Sequence, residues 1–228
     1  MPRINIQIEL HEGLFIKDPL SSPLGKRIIK EAIGLFHAVG YESFNFKLLS
    51  KEVGSPEASI YRYFENKYKL LSYLVSWYWD YMHYMVLLDT RNIDNPMQRL
   101  EKALHSITFS LHQSEVPEYI DQEILHRVVV AYATKVYHYH QVDRLKEEGF
   151  YRNYVKVIER FAEFIIACNA SYSFPRALAT NLIEMALSSE YYLEHFPELT
   201  DHGQRVEGEE ARKLAFEAVI HFAQKNLT

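Results

Sequence analysis

The chain has 228 residues and one cysteine, which excludes an intrachain disulfide and a cysteine-based zinc site. Its net charge of -5 argues against a protein coated with nucleic acid, and its first residues lack the basic and apolar segments of a secretory signal. No stretch free of charged residues approaches the roughly 20 apolar residues of a membrane-spanning helix. We therefore expect a soluble, cytoplasmic protein.

The first residues carry a strand-like pattern. From Ile4 to Leu10, apolar and polar residues alternate, which is the period of a β-strand. One strand is not stable alone, so residues 4–10 must dock on their own body, exchange between subunits or stay mobile. Glycine, prolines and serines between residues 13 and 23 indicate a linker. We expect an N-terminal segment over residues 1–24.

Two helices follow in the spacing of the apolar residues. From Leu24 the spacing becomes helical, and it ends at Gly40, a residue type that commonly follows helices. A second, short helix is predicted over residues 46–53, with Asn45 as its N-cap and Gly54 at its end.

A third helix and a long fourth helix complete this pattern. Ser55 is predicted to cap the third helix, with Pro56 in its first turn and its end near Phe64, and the fourth begins near Lys67. Three short helices, with a tight glycine turn between the second and third, match a helix-turn-helix unit whose third helix enters the major groove of DNA. We assign this domain to residues 25–70.

The rest of the chain is predicted to be helical throughout. Gly149 is expected to end or kink a helix in the stretch that is hardest to divide. The further helices are predicted at residues 95–113, 118–139, 141–169, 174–195 and 205–226. The fold class is therefore all-α: a helix-turn-helix domain joined by a long helix to a helical bundle within residues 71–228, with room for a short N-terminal strand.

The outer side of the third helix carries the candidate base-reading residues. Its inner stripe, Ile60 and Phe64, is apolar, so small residues and one arginine are left to face DNA. The outward residues are Glu57, Ala58, Ser59 and Arg62. Residues 25–70 contain eight Lys and Arg against five Asp and Glu, a local charge of +3 that is compatible with phosphate contact.

In this order of residues the chain resembles the tetracycline-repressor (TetR) family. The resemblance covers residues 25–70 and depends on unrelated positions agreeing in order. They are Ile29, Ala32, Leu35-Phe36, Gly40-Tyr41, Asn45, Leu49-Ser50, Gly54, Ala58-Ser59-Ile60-Tyr61-Arg62-Tyr63-Phe64, Asn66-Lys67 and Leu70-Leu71. The resemblance implies a regulator, more often a repressor, that binds a near-palindromic operator in double-stranded DNA as a homodimer and is released by a small-molecule effector.

The resemblance also implies roles by position. Positions that usually hold phosphates are matched by Asn45, Tyr61, Tyr63 and Lys67. Positions that face bases are matched by Glu57, Ala58, Ser59 and Arg62. Tyr63 stands where the family usually has histidine, and both tyrosines would alternatively pack between the third and fourth helices. Glu57 departs from the pattern, since phosphates repel a carboxylate; it would support the helix start or accept a hydrogen bond from cytosine.

The remaining helices carry two further expectations. The resemblance implies a dimer interface on helices 174–195 and 205–226, although their apolar stripes equally suit an intrachain core. These stripes are Ile183, Ala186, Leu187, Leu214, Ala218 and Phe222. The central aromatic residues would line a pocket for an apolar or aromatic effector or form ordinary core. They are Trp77, Tyr78, Trp79, Tyr81, Phe109, Tyr132, Tyr137 and Tyr139.

The sequence lacks the patterns of catalysis and metal binding. It has no glycine-rich phosphate loop, no Gly-x-Ser-x-Gly elbow and no paired-histidine zinc motif. His138 and His140 do not share a helix face, and Cys168 lies in an apolar run where we expect it to be buried and inert. We expect no enzyme, metal or cofactor. The alternative to a regulator is a helical small-molecule-binding protein without specific operator binding.

Overall fold

Helices make up the regular structure of the protein. The computed structural model describes residues 10–109, 117–140 and 142–227, and these residues contain no strand. The α-helices within them are α1 (Pro23–Ser43), α2 (Phe46–Val53), α3 (Glu57–Tyr61), α4 (Lys67–Thr90), α5 (Pro96–Phe109), α6 (Gln122–Tyr137), α7 (Val142–Glu147), α8 (Arg152–Cys168), α9 (Pro175–His195) and α10 (Gly208–Leu227). The predicted all-α class is confirmed. Of the strand-like pattern, residues 4–9 lie outside the described residues.

Local signals explain where α1 begins and where it is interrupted. The Ser22 hydroxyl accepts a hydrogen bond from the Gly25 amide at 3.1 Å, and Pro23 occupies the first turn, where its missing N–H costs nothing. Gly40 has a φ of 76°, a left-handed conformation that interrupts the helix before one further turn to Ser43. The predicted break at Gly40 is present, and the extra turn after it was not predicted.

α2 has the bounds that its sequence predicts. The Asn45 side chain accepts a hydrogen bond from the Leu48 amide at 2.9 Å, which satisfies one of the unpaired donors at the helix start. Gly54 ends the helix with a φ of 64°. The capping side chain before these eight residues and the left-handed glycine after them fix both ends of α2.

α3 departs from its prediction at both ends. It begins at Glu57 after Pro56, with no side-chain cap, so the capping role predicted for Ser55 is wrong. The Ser55 amide donates to the Ser50 carbonyl at 3.1 Å and so belongs to the end of α2. α3 also ends at Tyr61 rather than near Phe64, because a turn follows it.

α4 is buried over most of its N-terminal half, and every residue from 70 to 82 is buried. A helix with apolar residues on all sides has no polar face to orient it. Its start is marked by Asn66, whose side chain accepts a hydrogen bond from the Lys69 amide at 3.0 Å. Of the helices in the described ranges, none is long and apolar enough to cross a lipid bilayer.

The chain packs into two compact units. The first takes the described residues of 1–81 and 111–153, and α1 packs there against α2 and α6. The second takes those of 82–110 and 154–228, and α9 packs there against α10 and α5. The predicted domains 1–24, 25–70 and 71–228 divide the chain by function rather than by packing and stay a prediction.

The segment before α1 is packed against the first unit, and we call residues 10–22 the N-terminal arm. It contains two short 3₁₀ turns, Glu12–Leu14 and Pro19–Ser21. Leu14 is fully buried, and Pro19 is buried. A Cβ added to Gly25 would clash with the Pro19 backbone, so the arm and α1 require glycine at their closest approach.

The apolar stripes of α9 and α10 divide between two environments. Ile183, Ala186 and Leu187 are buried within the chain, which favours the intrachain-core alternative for these three. Phe222 on α10 is 43% exposed and remains available for another surface. Gly149, with a φ of 86°, lies between α7 and α8, so the break expected there is present.

Candidate nucleic-acid interface

α3 presents the side that the sequence predicts. Ile60 is fully buried beneath it, and Phe64 is fully buried in the following turn, where its amide donates to the Ile60 carbonyl at 3.1 Å. On the opposite side Ala58 and Arg62 are exposed. Glu57 and Ser59 are partly exposed. The four residues predicted to face bases are therefore all accessible to solvent.

A hollow of about 290 Å³ lies beside α3 and brings together three of the residues predicted to contact phosphate. Its lining is Glu42, Phe44, Asn45, Phe46, Tyr61, Asn66 and Lys67. The Tyr61 side chain is 48% exposed and meets the Phe46 ring edge-on, with ring centroids 4.9 Å apart. This contact orients the Tyr61 ring without using its hydroxyl, which is left as a donor of the kind that holds phosphate.

Asn45 lies at the start of α2 and at the edge of the hollow. Its side-chain oxygen accepts from the Leu48 amide, and its Nδ2 donates to the Ser43 carbonyl at 3.3 Å. These two bonds fix the amide group at the positive end of α2, where the remaining free backbone N–H groups favour an anion. Asn45 therefore orients this helix end, and its own phosphate contact stays a prediction.

Lys67 is engaged within the protein. Its Nζ donates to the carbonyl oxygens of Tyr41, Glu42 and Phe44 at 2.8, 3.1 and 3.2 Å. It also lies 4.6 Å from the centroid of the Tyr41 ring. The ammonium thus joins the start of α4 to the end of α1, and the phosphate contact implied by the resemblance stays a prediction.

Tyr63 is buried against the N-terminal arm. Its side chain is only 4% exposed, and its hydroxyl shares a hydrogen bond of 2.7 Å with the Ser22 hydroxyl. A phosphate would have to displace this bond and reach a buried atom. This environment favours packing, and the phosphate contact predicted for Tyr63 stays a prediction.

The hollow contains one carboxylate whose charge is balanced from outside it. The Lys135 ammonium donates a hydrogen bond to the Glu42 carboxylate at 2.5 Å and lowers the pKa of that carboxyl. Glu42 stays ionised with its charge compensated, which reduces its repulsion of a phosphate. Neither Glu42 nor Asn66 was among the site residues predicted from the sequence. The capping position of Asn66 just before α4 was the available signal for Asn66.

The predicted effector-lining aromatics include a buried group on α4: Trp77, Tyr78, Trp79 and Tyr81. The Tyr78 hydroxyl lies 2.9 Å from His126 Nδ1, and the Trp79 indole donates to the Tyr137 hydroxyl at 2.5 Å. The Trp77 indole N–H is buried without a hydrogen-bond partner among the described residues. Such a donor is costly to leave unpaired, so an acceptor atom brought to it would be stabilising.

A reactive cysteine and a metal site have less support in the structure than the DNA-binding surface. Cys168 is partly exposed rather than buried as predicted, and its partial burial raises the pKa of the thiol, with a smaller contribution from Glu101. A raised pKa keeps the sulfur a thiol and makes it a poor nucleophile. Within the parts of the chain that are described, no three His, Cys, Asp or Glu side chains lie close enough together to hold a metal ion.

The third helix is exposed on one side, packs against α2 on the other and adjoins a hollow with phosphate-binding side-chain types. This is the arrangement of a helix-turn-helix DNA-binding domain. Residues 28–74 match the family model described as "Bacterial regulatory proteins, tetR family". The N-terminal segment of the chain is therefore similar to the DNA-binding domain of that family. No curated protein sequence matches the chain.

Solved structures of regulators share the fold over most of the chain. The complex of AibR with isovaleryl coenzyme A and operator DNA is 14% identical, with a TM-score of 0.59 over 86% of this chain and 97% of that one. The fatty acid degradation regulator FadR from Bacillus halodurans is 14% identical, with a TM-score of 0.59 over 87% and 95%.

A third example is SCO4454, a TetR-family transcriptional regulator from Streptomyces coelicolor. It is 16% identical, with a TM-score of 0.59 over 92% of this chain and 95% of that one. Identities at this level establish the fold, and the function is argued from the residues of this chain.

Proposed function

We propose that the protein is a cytoplasmic, ligand-responsive transcriptional repressor, not an enzyme, which binds a near-palindromic operator as a homodimer. The observation that carries the proposal is the exposed side of α3 next to the hollow that contains Asn45, Tyr61 and Lys67. A base-reading face and a phosphate seat on adjacent surfaces are what a helix in the major groove requires.

Each accessible residue has a role in this proposal. Arg62 supplies a charged, forked donor for base edges, and Ala58 and Ser59 let the backbone approach the groove. Tyr61 and Asn45 hold the phosphate backbone, joined by Lys67 if its ammonium exchanges a carbonyl for a phosphate. Glu57, in the first turn of α3, stabilises the positive end of the helix, and a cytosine amino group is its alternative partner.

Homodimerisation would place two copies of α3 on the two half-sites of the operator. Exposed large apolar side chains on and after α9 and on α10 support this interface: Tyr191, Tyr192, Phe196, Leu199 and Phe222. The Tyr191 ring contacts the rings of Tyr192 and Phe196, and a group of exposed aromatic residues of this kind is typical of an interface.

The effector would be an apolar or aromatic small molecule with at least one hydrogen-bond acceptor. The unpartnered Trp77 indole within a buried aromatic group supports both features. AibR, which shares the fold, was crystallised with isovaleryl coenzyme A, so acyl thioesters and aromatic carboxylates form a reasonable first panel. An effector that releases operator from the Trp77→Phe variant as readily as from the wild type would remove Trp77 from the site.

Selection from a random double-stranded DNA pool tests the central proposal. The full chain should enrich a near-palindromic sequence, and gel-shift competition should show affinity for it about 10³-fold or more above a scrambled duplex. Binding to both duplexes should weaken as salt rises, because phosphate contacts release counterions. Equal affinity for selected and scrambled DNA would contradict the proposal and favour the small-molecule-binding alternative.

A further inference from the structure

The N-terminal arm holds the end of α3 from three directions. All three contacts converge on Tyr63, two residues after the helix ends. The Ile16 amide donates to its carbonyl at 2.8 Å, the Lys17 ammonium lies 5.2 Å from its ring centroid, and the Ser22 hydroxyl bonds its hydroxyl at 2.7 Å. The arm therefore restrains the backbone, the ring and the hydroxyl of one residue next to the recognition helix.

The other end of the arm is anchored on Phe150, in the turn between α7 and α8. Lys69 Nζ donates to the Gly13 carbonyl at 2.9 Å and lies 4.0 Å from the centroid of the Phe150 ring. The His11 ring stacks obliquely on the same ring, with centroids 4.9 Å apart. A Cβ added to Gly13 would lie 3.1 Å from the Phe150 ring, so the arm fits closely against it.

The connection between the two anchors is short and buried. Gly13 and Ile16 are separated by Leu14, which is fully buried, and by Phe15, whose ring meets Tyr73 edge-on at 6.1 Å. Three residue steps extend to at most about 10 Å, so this stretch has little slack between its two hydrogen-bonded ends. A displacement at one anchor is passed to the other instead of being absorbed.

We propose that the N-terminal arm is a tie that couples the position of the α7–α8 turn to the recognition helix α3. The inference rests on the proposed function, in which α3 reads DNA. A change at Phe150 shifts Gly13 through Lys69 and His11, and the arm carries the shift to Tyr63. The turn between α7 and α8 thereby sets how α3 is held for the operator.

The alternative is a passive cover that protects the core without coupling the two ends. The two ideas differ in their effect on DNA. A passive cover makes Phe150 matter for stability alone, whereas a tie makes a substitution at Phe150 change operator affinity through the arm. A tie also predicts that the losses of operator affinity caused by releasing the two ends do not add, because an arm that is released at one end can no longer pass a displacement to the other.

Two variants release the two ends, each with a matched control. Phe150→Leu removes the ring beneath Lys69 and keeps an apolar side chain; its control is Phe164→Leu, since both phenylalanines are 6% exposed. Ile16→Pro removes the amide that donates to Tyr63; its control is Ile16→Ala, since the Ile16 side chain is 65% exposed. Lys69→Met releases the Phe150 end without opening a cavity, in case Phe150→Leu does not fold.

The measurements are the dissociation constant for the selected operator and the exchange rates of the Ile16 and Tyr63 amides, in variants with folded circular-dichroism spectra. Phe150→Leu and Ile16→Pro should each weaken operator binding about fivefold or more, and the double variant should be no weaker than the weaker single variant. Phe150→Leu should also speed exchange at Ile16 and at Tyr63, whose amide donates to the Ile60 carbonyl at 2.8 Å. Both controls should stay within about twofold of wild type.

The tie is overturned if Phe150→Leu changes neither the exchange at Ile16 and Tyr63 nor operator affinity beyond the Phe164→Leu control, or if the losses in the double variant add. Failure of the proposed function is a separate result. If the wild-type chain selects no DNA, the repressor proposal falls, and the amide exchange of the folded variants still decides whether the arm links Phe150 to Tyr63.

Discussion

Tyr61 and Tyr63 are two residues apart, yet their side chains lie in opposite environments. The Tyr61 side chain is 48% exposed at the hollow, and that of Tyr63 is 4% exposed against the arm. Residues two apart at a helix end point to different sides, so one tyrosine faces solvent when the other faces the core. The residue types alone did not separate phosphate contact from packing, because tyrosine suits both.

Arg62→Ala should weaken binding to the selected operator while leaving the fold intact. Loss of a base-contacting arginine costs about 1–3 kcal/mol and relaxes the preference at the base pair that it reads. Gel shifts on the operator and on single-base variants measure both effects. Arg205→Ala is the control, because its exposed guanidinium pairs with Glu207 on the second unit. Unchanged affinity would remove Arg62 from the contact residues.

Tyr61→Phe tests the phosphate role with a single atom removed. Loss of one hydrogen bond to a phosphate should cost about 0.5–1.5 kcal/mol on every DNA sequence, since phosphates carry no sequence information. Fluorescence anisotropy with selected and scrambled duplexes measures the change on each. A loss confined to the selected duplex would indicate base reading by Tyr61.

At the scale of helices and turns, the residues with unambiguous local roles were predictable. Asn45 and Gly54 mark the two ends of α2 as expected, because an N-cap side chain and a left-handed glycine act within one turn. The capping role predicted for Ser55 was wrong, because a serine before a proline also fits the end of the preceding helix. The arm contacts join residues far apart along the chain, such as Ile16 and Tyr63, and no local pattern predicts them.

Two glycines on α1 make a matched test of the packing between the arm and the helix. Gly25→Ala should lower the free energy of unfolding by about 1–3 kcal/mol, because its Cβ would clash with the Pro19 backbone. Gly34→Ala, with no atom within 4 Å of the added Cβ, should raise it by about 0.5–1 kcal/mol. Urea unfolding of the two variants measures both. Equal effects would show that the arm is not seated against α1.

At the scale of the whole molecule, the fold class and the DNA-reading segment were predictable and the roles of the apolar stripes were not. Ile183 and Phe222 carried the same apolar signal in the sequence. The structure buries Ile183 within the chain and leaves Phe222 43% exposed. Periodicity shows which side of a helix is apolar and is silent on whether the covering surface belongs to the same chain.

Phe222→Glu should dissociate the homodimer and weaken operator binding with it. A carboxylate in an apolar interface is desolvated without a partner, and a monomer contacts a single half-site. Sedimentation velocity measures the mass, and gel shifts on the selected operator measure the affinity. Val155→Glu is the control, because Val155 is 46% exposed on α8, outside the proposed interface. A dimer of unchanged stability would exclude Phe222 from the interface.

The ammonium of Lys67 acts as a tripod under the end of α1. Its three hydrogen bonds end on the carbonyls of Tyr41, Glu42 and Phe44, one for each N–H that a lysine carries. Arginine presents its donors in a flat fork that does not converge on three oxygens, and glutamine brings only two. Neither residue therefore replaces Lys67. Acetylation of its side chain would break the contact between the end of α1 and the start of α4 without any change of sequence.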